Sequence, residues 1–202
     1  KKAQQKGPGN SIAEDYGRTF HFINADTSLI ETYNLFNRAV NNSNITGNAS
    51  AEYYYQQLSN KYPGTPYTLD ARSTLAVEYI NDAQKKVDRY LACGDDGSAK
   101  EKQANYDAAL RLQKAIDLVS EDDPDYARTL LNRVYFLKAN GNGDVAIAFQ
   151  NAYAALQIDP NGAYIQNKLA LLHLQNNNTD SALYYSERAA GNAPKWLCAA
   201  TT

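Results

Sequence analysis

The sequence predicts an all-α chain folded as an α-α superhelix, a solenoid of about four to five stacked helical hairpins. Three observations carry this. Pro160 and Pro194, Ala148 and Ala182, Ala155 and Ala189, and Leu137 and Leu171 each lie 34 residues apart. A period of that size with two helices per copy is the mark of stacked hairpins. Apolar residues recur three or four positions apart along most of the chain, and no segment alternates with the period of two that a half-buried strand shows. The physical reason is simple. One hairpin cannot bury its apolar face alone, so each leans on the next. Alanine where two helices cross lets the backbones approach, and a larger side chain there overpacks.

Each element follows from its own residues. Residues 1–10, KKAQQKGPGN, are polar and punctuated by Gly-Pro-Gly, and read as a tail or linker ahead of a helical domain over 11–202. Ser11 is the expected cap of a helix whose apolar face is Ile12, Tyr16, Phe20 and Ile23. Asp26 or Thr27 opens a second helix with Ile30, Tyr33, Phe36 and Val40 as its stripe. NNSNITGNAS is a loop. Its three Asn-x-Ser/Thr sequons, at Asn41, Asn44 and Asn48, are read as chance matches in an Asn-rich stretch.

Ala51, Tyr54, Tyr55 and Leu58 predict a third helix, stopped by KYPGTPY because proline lacks an amide hydrogen and disfavours helix in the residue before it. Thr68 is the expected N-cap of a long helix to about residue 91. Its apolar face is Leu75, Val77, Tyr79, Ile80, Ala83, Val87 and Tyr90. CGDDGSAKEK is a loop. Tyr106, Ala109, Leu112, Ala115, Ile116 and Leu118 place a helix at roughly 102–120. In SEDDPDY, Asp123 caps, Pro124 takes the first helical position, and the neighbouring acids suit the positive end of the helix dipole. Helices at about 125–140, 144–157, 161–176 and 179–190 complete the chain.

Composition narrows the function classes. The net charge is −2, with 20 basic and 22 acidic residues spread along 202, so there is no clustered basic face of the kind that grips phosphate backbones. No apolar run reaches the ~20 residues of a membrane span. No methionine occurs, even at position 1, and APKWLCAATT reads as a helix cut early. The chain is therefore expected to be a piece of a longer gene product. Cys93 and Cys198 share no metal-like spacing. They are read as unpaired thiols, because a stacked array keeps distant segments apart.

The residues at this period resemble the tetratricopeptide repeat (TPR) family. In the second copy Leu169 and Ala170 stand where the TPR pattern has Leu-Gly. Ala182 and Ala189 fill its two small positions, and Pro194 closes it. Gln166 replaces the usual large apolar residue, His173 stands at the Tyr position and Ser186 at the Phe position. In the first copy Ala148, Ala155 and Pro160 match, whereas Phe136 falls where a small residue is expected. Upstream, Ala108, Leu112 and Ala115 repeat the small–large–small spacing, and Ala51, Tyr55, Leu58 and Pro63 do so again. Thr32, Phe36 and Ala39 match less fully. The resemblance covers about residues 28–194 and is most regular over 125–194. YYYQQLSNKYPGTPYTLDARSTLA is similar to TPR-like modules of bacterial envelope proteins, including outer-membrane assembly lipoproteins and the periplasmic coordinator of the Tol–Pal system.

Catalytic groups are sparse. His21 and His173 are the only histidines, and both sit among packing residues. Nothing beside Cys198 activates it as a nucleophile. GNGD is too short for a phosphate loop. The acids of SEDDPDY and CGDDGSAKE lack the alternation of a calcium loop. The expectation is no enzyme, no cofactor, no catalytic residue and no metal site. Function then follows from the resemblance: a non-catalytic protein or peptide-binding scaffold using the concave face of the array. Repeat geometry turns Arg133, Leu137, Tyr164, Asn167, Lys168, Leu171 and Gln175 toward that groove. Arg133, Asn167 and Lys168 suit a carboxylate or peptide backbone, although they do not reproduce the two-cation–Asn clamp of chaperone-binding members. The envelope resemblance implies a periplasmic or outer-membrane-associated setting, with the cytoplasm as the alternative. The alternative function is a regulatory or substrate-docking domain of a larger enzyme such as a peptidase. The last helix also offers a surface for self-association.

Overall fold

The computed structural model describes residues 26–120 and 122–196. The helix expected after Ser11, His21, and Cys198 lie outside them. Among the described residues the chain is all-helical, with eight helices and no strand. The described residues divide into two compact units, one up to Arg72 and one from Ser73.

In the first unit, α1 (Thr27–Asn41) packs on α2 (Ala51–Lys61). Asp26 caps α1 by accepting from Ser28 N, and Ser50 caps α2 by accepting from Tyr53 N. The α1 stripe is turned from the expected one. Leu29, Phe36 and Ala39 are buried, and Ile30 stands 39% exposed on the shoulder. Leu29 takes that place because it lies in register with Phe36, one heptad away on the same helix face. Ala51 and Leu58 close the core from α2. The Tyr62 hydroxyl donates to Asp26, which, with Ser28 N, holds that carboxyl below its usual pKa. The loop joining the helices uses left-handed backbone at Ser43 and Ala49 and is tied by Asn44 Nδ2 donating to Ala49 O.

The long helix α3 (Pro66–Leu91) starts before Thr68. Thr65 supplies the cap, its hydroxyl accepting from Thr68 N at 3.2 Å, and Pro66 fits the position after it. Thr68 is buried, and its hydroxyl donates to Tyr62 O at 2.7 Å. Val77, expected in the core, is 52% exposed, and Ala76 is buried instead.

The second unit carries α3 onward from Ser73, then α4 (Ala99–Val119), α5 (Pro124–Gly141), α6 (Val145–Ile158), α7 (Ala163–Gln175) and α8 (Thr179–Asn192). Contacts run between neighbours in sequence, α4 with α5, α5 with α6, α6 with α7 and α7 with α8. A smaller contact joins α5 and α7, and Tyr90 at the end of α3 reaches Phe136 of α5 and Asn167 of α7. Side chains of Ser98, Asp123, Asp144 and Asn178 cap four of these helices, and Pro124 follows its cap as expected.

The alanines in register are in the core. Ala108, Ala115, Ala148, Ala155, Ala182 and Ala189 are all buried. Glycine is needed at one crossing. A Cβ on Gly141 would lie 2.6 Å from the Tyr106 backbone nitrogen and 2.9 Å from Lys102 O, so α4 and α5 touch there backbone to backbone. The Tyr106 side chain, expected on the apolar face of α4, is 37% exposed.

Phe136 is fully buried where the repeat pattern has a small residue. The space is filled by aromatic packing. Its ring meets Tyr90 edge-on at 5.0 Å and Tyr164 edge-on at 4.8 Å, a favoured geometry for such pairs. Gln166, in place of a large apolar residue, is also fully buried. Its Nε2 donates to Pro160 O at 2.7 Å and its Oε1 accepts from Asn192 Nδ2 at 2.8 Å. A polar bracket replaces an apolar plug, and it stands because both ends of the amide are satisfied.

Cys93 is disulfide-bonded and no described cysteine is free, which corrects the expectation of unpaired thiols. Cys198 is the other cysteine of the sequence. The reason lies in the return of the chain. The Trp196 indole N–H donates to Leu91 O at 2.7 Å and its ring packs on Tyr90, so the segment after α8 comes back to the end of α3.

Candidate functional site

Helix α7 sets the site. Ile165, Leu169 and Leu172 are buried and fix its rotation. Lys168, Leu171 and Gln175, three and four positions apart on the adjoining face, then line a cavity of about 160 Å³. Tyr90, Asp95, Gly97, Lys102 and Asn140 form the rest of its wall. Lys168 is half-buried, and its ammonium is pushed down to about 8. Burial is the main cause, Lys102 adds to it, and Asp95 opposes it. The Tyr90 hydroxyl donates to Asn167 Oδ1 at 2.7 Å, and burial raises its pKa.

A second hollow, about 610 Å³, opens beside it. Leu91, Ala163, Tyr164, Ala193, Pro194, Lys195 and Trp196 line it, and it is mainly apolar. The Tyr164 hydroxyl donates to Asn132 Oδ1 at 3.1 Å. Its pKa is pushed up to about 12, by burial first and Asp159 next, against the charge of Arg133. Tyr90 joins the two hollows. It lines the polar one, and its ring contacts Trp196 at 5.9 Å.

Of the seven residues expected to face a groove, Lys168, Leu171 and Gln175 are gathered in the polar cavity and Tyr164 lines the apolar cleft. Arg133 is half-buried near Tyr164 and lines neither hollow. Leu137 is fully buried, and Asn167 is buried against Tyr90. Sequence reasoning passed over Asp95, Lys102, Asn140 and Trp196 as site residues. Asp95 and Lys102 sit in or beside a stretch that reads as a solvated loop. Asn140 carries no signal beyond its place near a helix end.

His173 belongs to an aromatic cluster. Its Nε2 and the Tyr153 hydroxyl share a hydrogen bond of 3.0 Å, Tyr185 stacks on it at 5.5 Å, and burial lowers its pKa. Among the described residues no group of His, Cys, Asp and Glu is placed to hold a metal ion. None of the described helices is long and apolar enough to cross a membrane. Comparison with family profiles, with curated proteins and with solved structures finds no match to this chain.

Proposed function

We propose that the chain is a non-catalytic scaffold of tetratricopeptide-like hairpins that holds a protein or peptide. The observation that carries this reading is the pairing of two hollows around Tyr90. An apolar cleft walled by Tyr164, Pro194 and Trp196 can seat a side chain. The cavity beside it presents Lys168 and the Asn140 amide to polar groups. Binding surfaces commonly place a few polar groups beside an apolar pocket in this way. Buried alanines at 34-residue spacing and the neighbour-to-neighbour helix contacts support a stacked array. The disulfide at Cys93 favours an oxidising compartment, such as the periplasm, over the cytoplasm.

Trp196 is the only tryptophan and stands in the cleft wall, so it reports occupancy directly. Peptides selected on the immobilised chain from a displayed library are expected to shift and saturate its fluorescence. Tyr164→Ala combined with Lys168→Glu is expected to weaken them. Selected peptides that bind without altering Trp196 emission, and that tolerate the double substitution, overturn the assignment to this face.

A further inference from the structure

We propose that the polar cavity between the end of α3, α4, α5 and α7 is a site for a small monocarboxylate with a short apolar stem, held by Lys168, Lys102 and the Asn140 amide. Three observations converge. Asn140 is 6% exposed, lines the cavity, and its Nδ2 has no hydrogen-bond partner. Folded proteins seldom leave a buried donor in that condition, and an acceptor brought into the cavity satisfies it. Two ammonium groups, Lys102 and Lys168, border the same space. Among the described residues neither has a carboxylate within ion-pair distance. They repel each other, and Lys102 helps hold the Lys168 ammonium below its ordinary range.

The wall's one carboxylate is already engaged. Asp95 Oδ1 accepts from Gly97 N at 2.9 Å and Oδ2 from Asn105 Nδ2 at 3.0 Å. None of Lys102, Lys168 and the Asn140 amide is among its hydrogen-bond partners.

Size and chemistry narrow the ligand. About 160 Å³ admits an acid of a few carbons and excludes a folded segment. Asp95 across the cavity disfavours a doubly charged phosphate, whereas a single carboxylate meets one ammonium and one amide with its two oxygens. Tyr90 and Leu171 supply apolar wall for the stem. This inference does not rest on the peptide reading, and its test needs no peptide.

Butyrate is the probe, with butyramide and inorganic phosphate as controls. In protein labelled with ¹³C at lysine, the Lys168 Cε resonance is assigned by its loss in Lys168→Arg and followed against pH. Saturating butyrate is expected to raise its midpoint by about one unit, equivalent to about tenfold tighter binding to the charged form. Butyramide should leave it in place and phosphate should act more weakly. Asn140→Leu is expected to weaken butyrate by about tenfold while the helical circular dichroism is retained. If that variant does not fold, Lys102→Gln at the cavity rim takes its place with the same expectation. A Lys168 resonance that does not respond saturably to butyrate overturns the assignment, as does an equal response to butyramide or phosphate.

Discussion

Asn132 and Gln166 occupy the same register in the two in-phase copies, 34 residues apart, and both are buried amides. They are satisfied differently. Asn132 accepts from the Tyr164 hydroxyl, which belongs to the next hairpin. Gln166 turns to its own hairpin, accepting from Asn192 and donating to Pro160 O. The positions around them diverge in the same sense. Leu137 is fully buried and its counterpart Leu171 lines a cavity. Ala139 and Asn140 are buried, whereas His173 is half-buried and Leu174 is 51% exposed. The first copy is covered by a following hairpin and the second is not covered in the same way. Equal sequence register therefore does not give equal burial. Val134, Leu137 and Asn140 are buried in the first copy, whereas in the second the buried positions are Leu169 and Leu172, counterparts of the half-buried Tyr135 and Lys138.

Substitutions at matched positions sharpen this contrast. The largest effect is expected at Phe136, whose ring fills the space between Tyr90 and Tyr164. Phe136→Ala should cost about 3–5 kcal/mol in urea unfolding. The converse change at its counterpart, Ala170→Phe, should cost about 1–3 kcal/mol by overpacking. A loss below about 1 kcal/mol at Phe136 would show that the aromatic wall is not structural.

Gly141 comes next. Gly141→Ala must part α4 from α5 at Tyr106 and should cost about 1–3 kcal/mol. At the matched exposed position, Gln175→Ala should stay within about 0.5 kcal/mol. Similar costs at both would deny the close backbone approach. Gln166→Leu should cost about 1–2 kcal/mol, since it strands Pro160 O while exposed Asn192 can turn to water. Adding Asn192→Ala should then cost little more, and a fully additive double variant would mean that the two amides are not coupled.

The smallest effect concerns pH. The Lys168 ammonium is lowered in the fold, from 10.5 to about 8. Between those values the unfolded chain binds the extra proton, so stability rises with pH across that window. The raised Tyr164 and Tyr185 hydroxyls act oppositely above about 10, so the rise is best read from pH 8 to 10. Lys168→Met should flatten it in urea midpoints taken across that range. An unchanged slope would assign the rise to other groups.

Much of the fold was legible because its determinants are local. The cap at Asp123, the helix start at Asp26 or Thr27, the stops at the prolines, and the buried alanines follow from spacing alone, whereas Asp144, read as the first residue of its helix, is that helix's cap. The failures have physical causes. Thr68 and Thr65 are equally good caps in sequence, and only the register of α3 decides between them. The disulfide was invisible because Cys93 and its surroundings say nothing of a tail that returns. The site was half legible. Lys168, Leu171 and Gln175 share a face by helix geometry. Asp95, Lys102 and Asn140 reach the same cavity from a loop and two other helices, and no sequence period links them.

Neighbouring hairpins make short-range contacts, which form early and at low entropic cost. The bond from Trp196 to Leu91 closes a span of 105 residues. That closure must wait until Trp196 itself has left the ribosome, so a nascent chain stalled earlier would present the Tyr90 face without its Trp196 cover. Trp196 emission in a refolding experiment should accordingly mature after the helical signal.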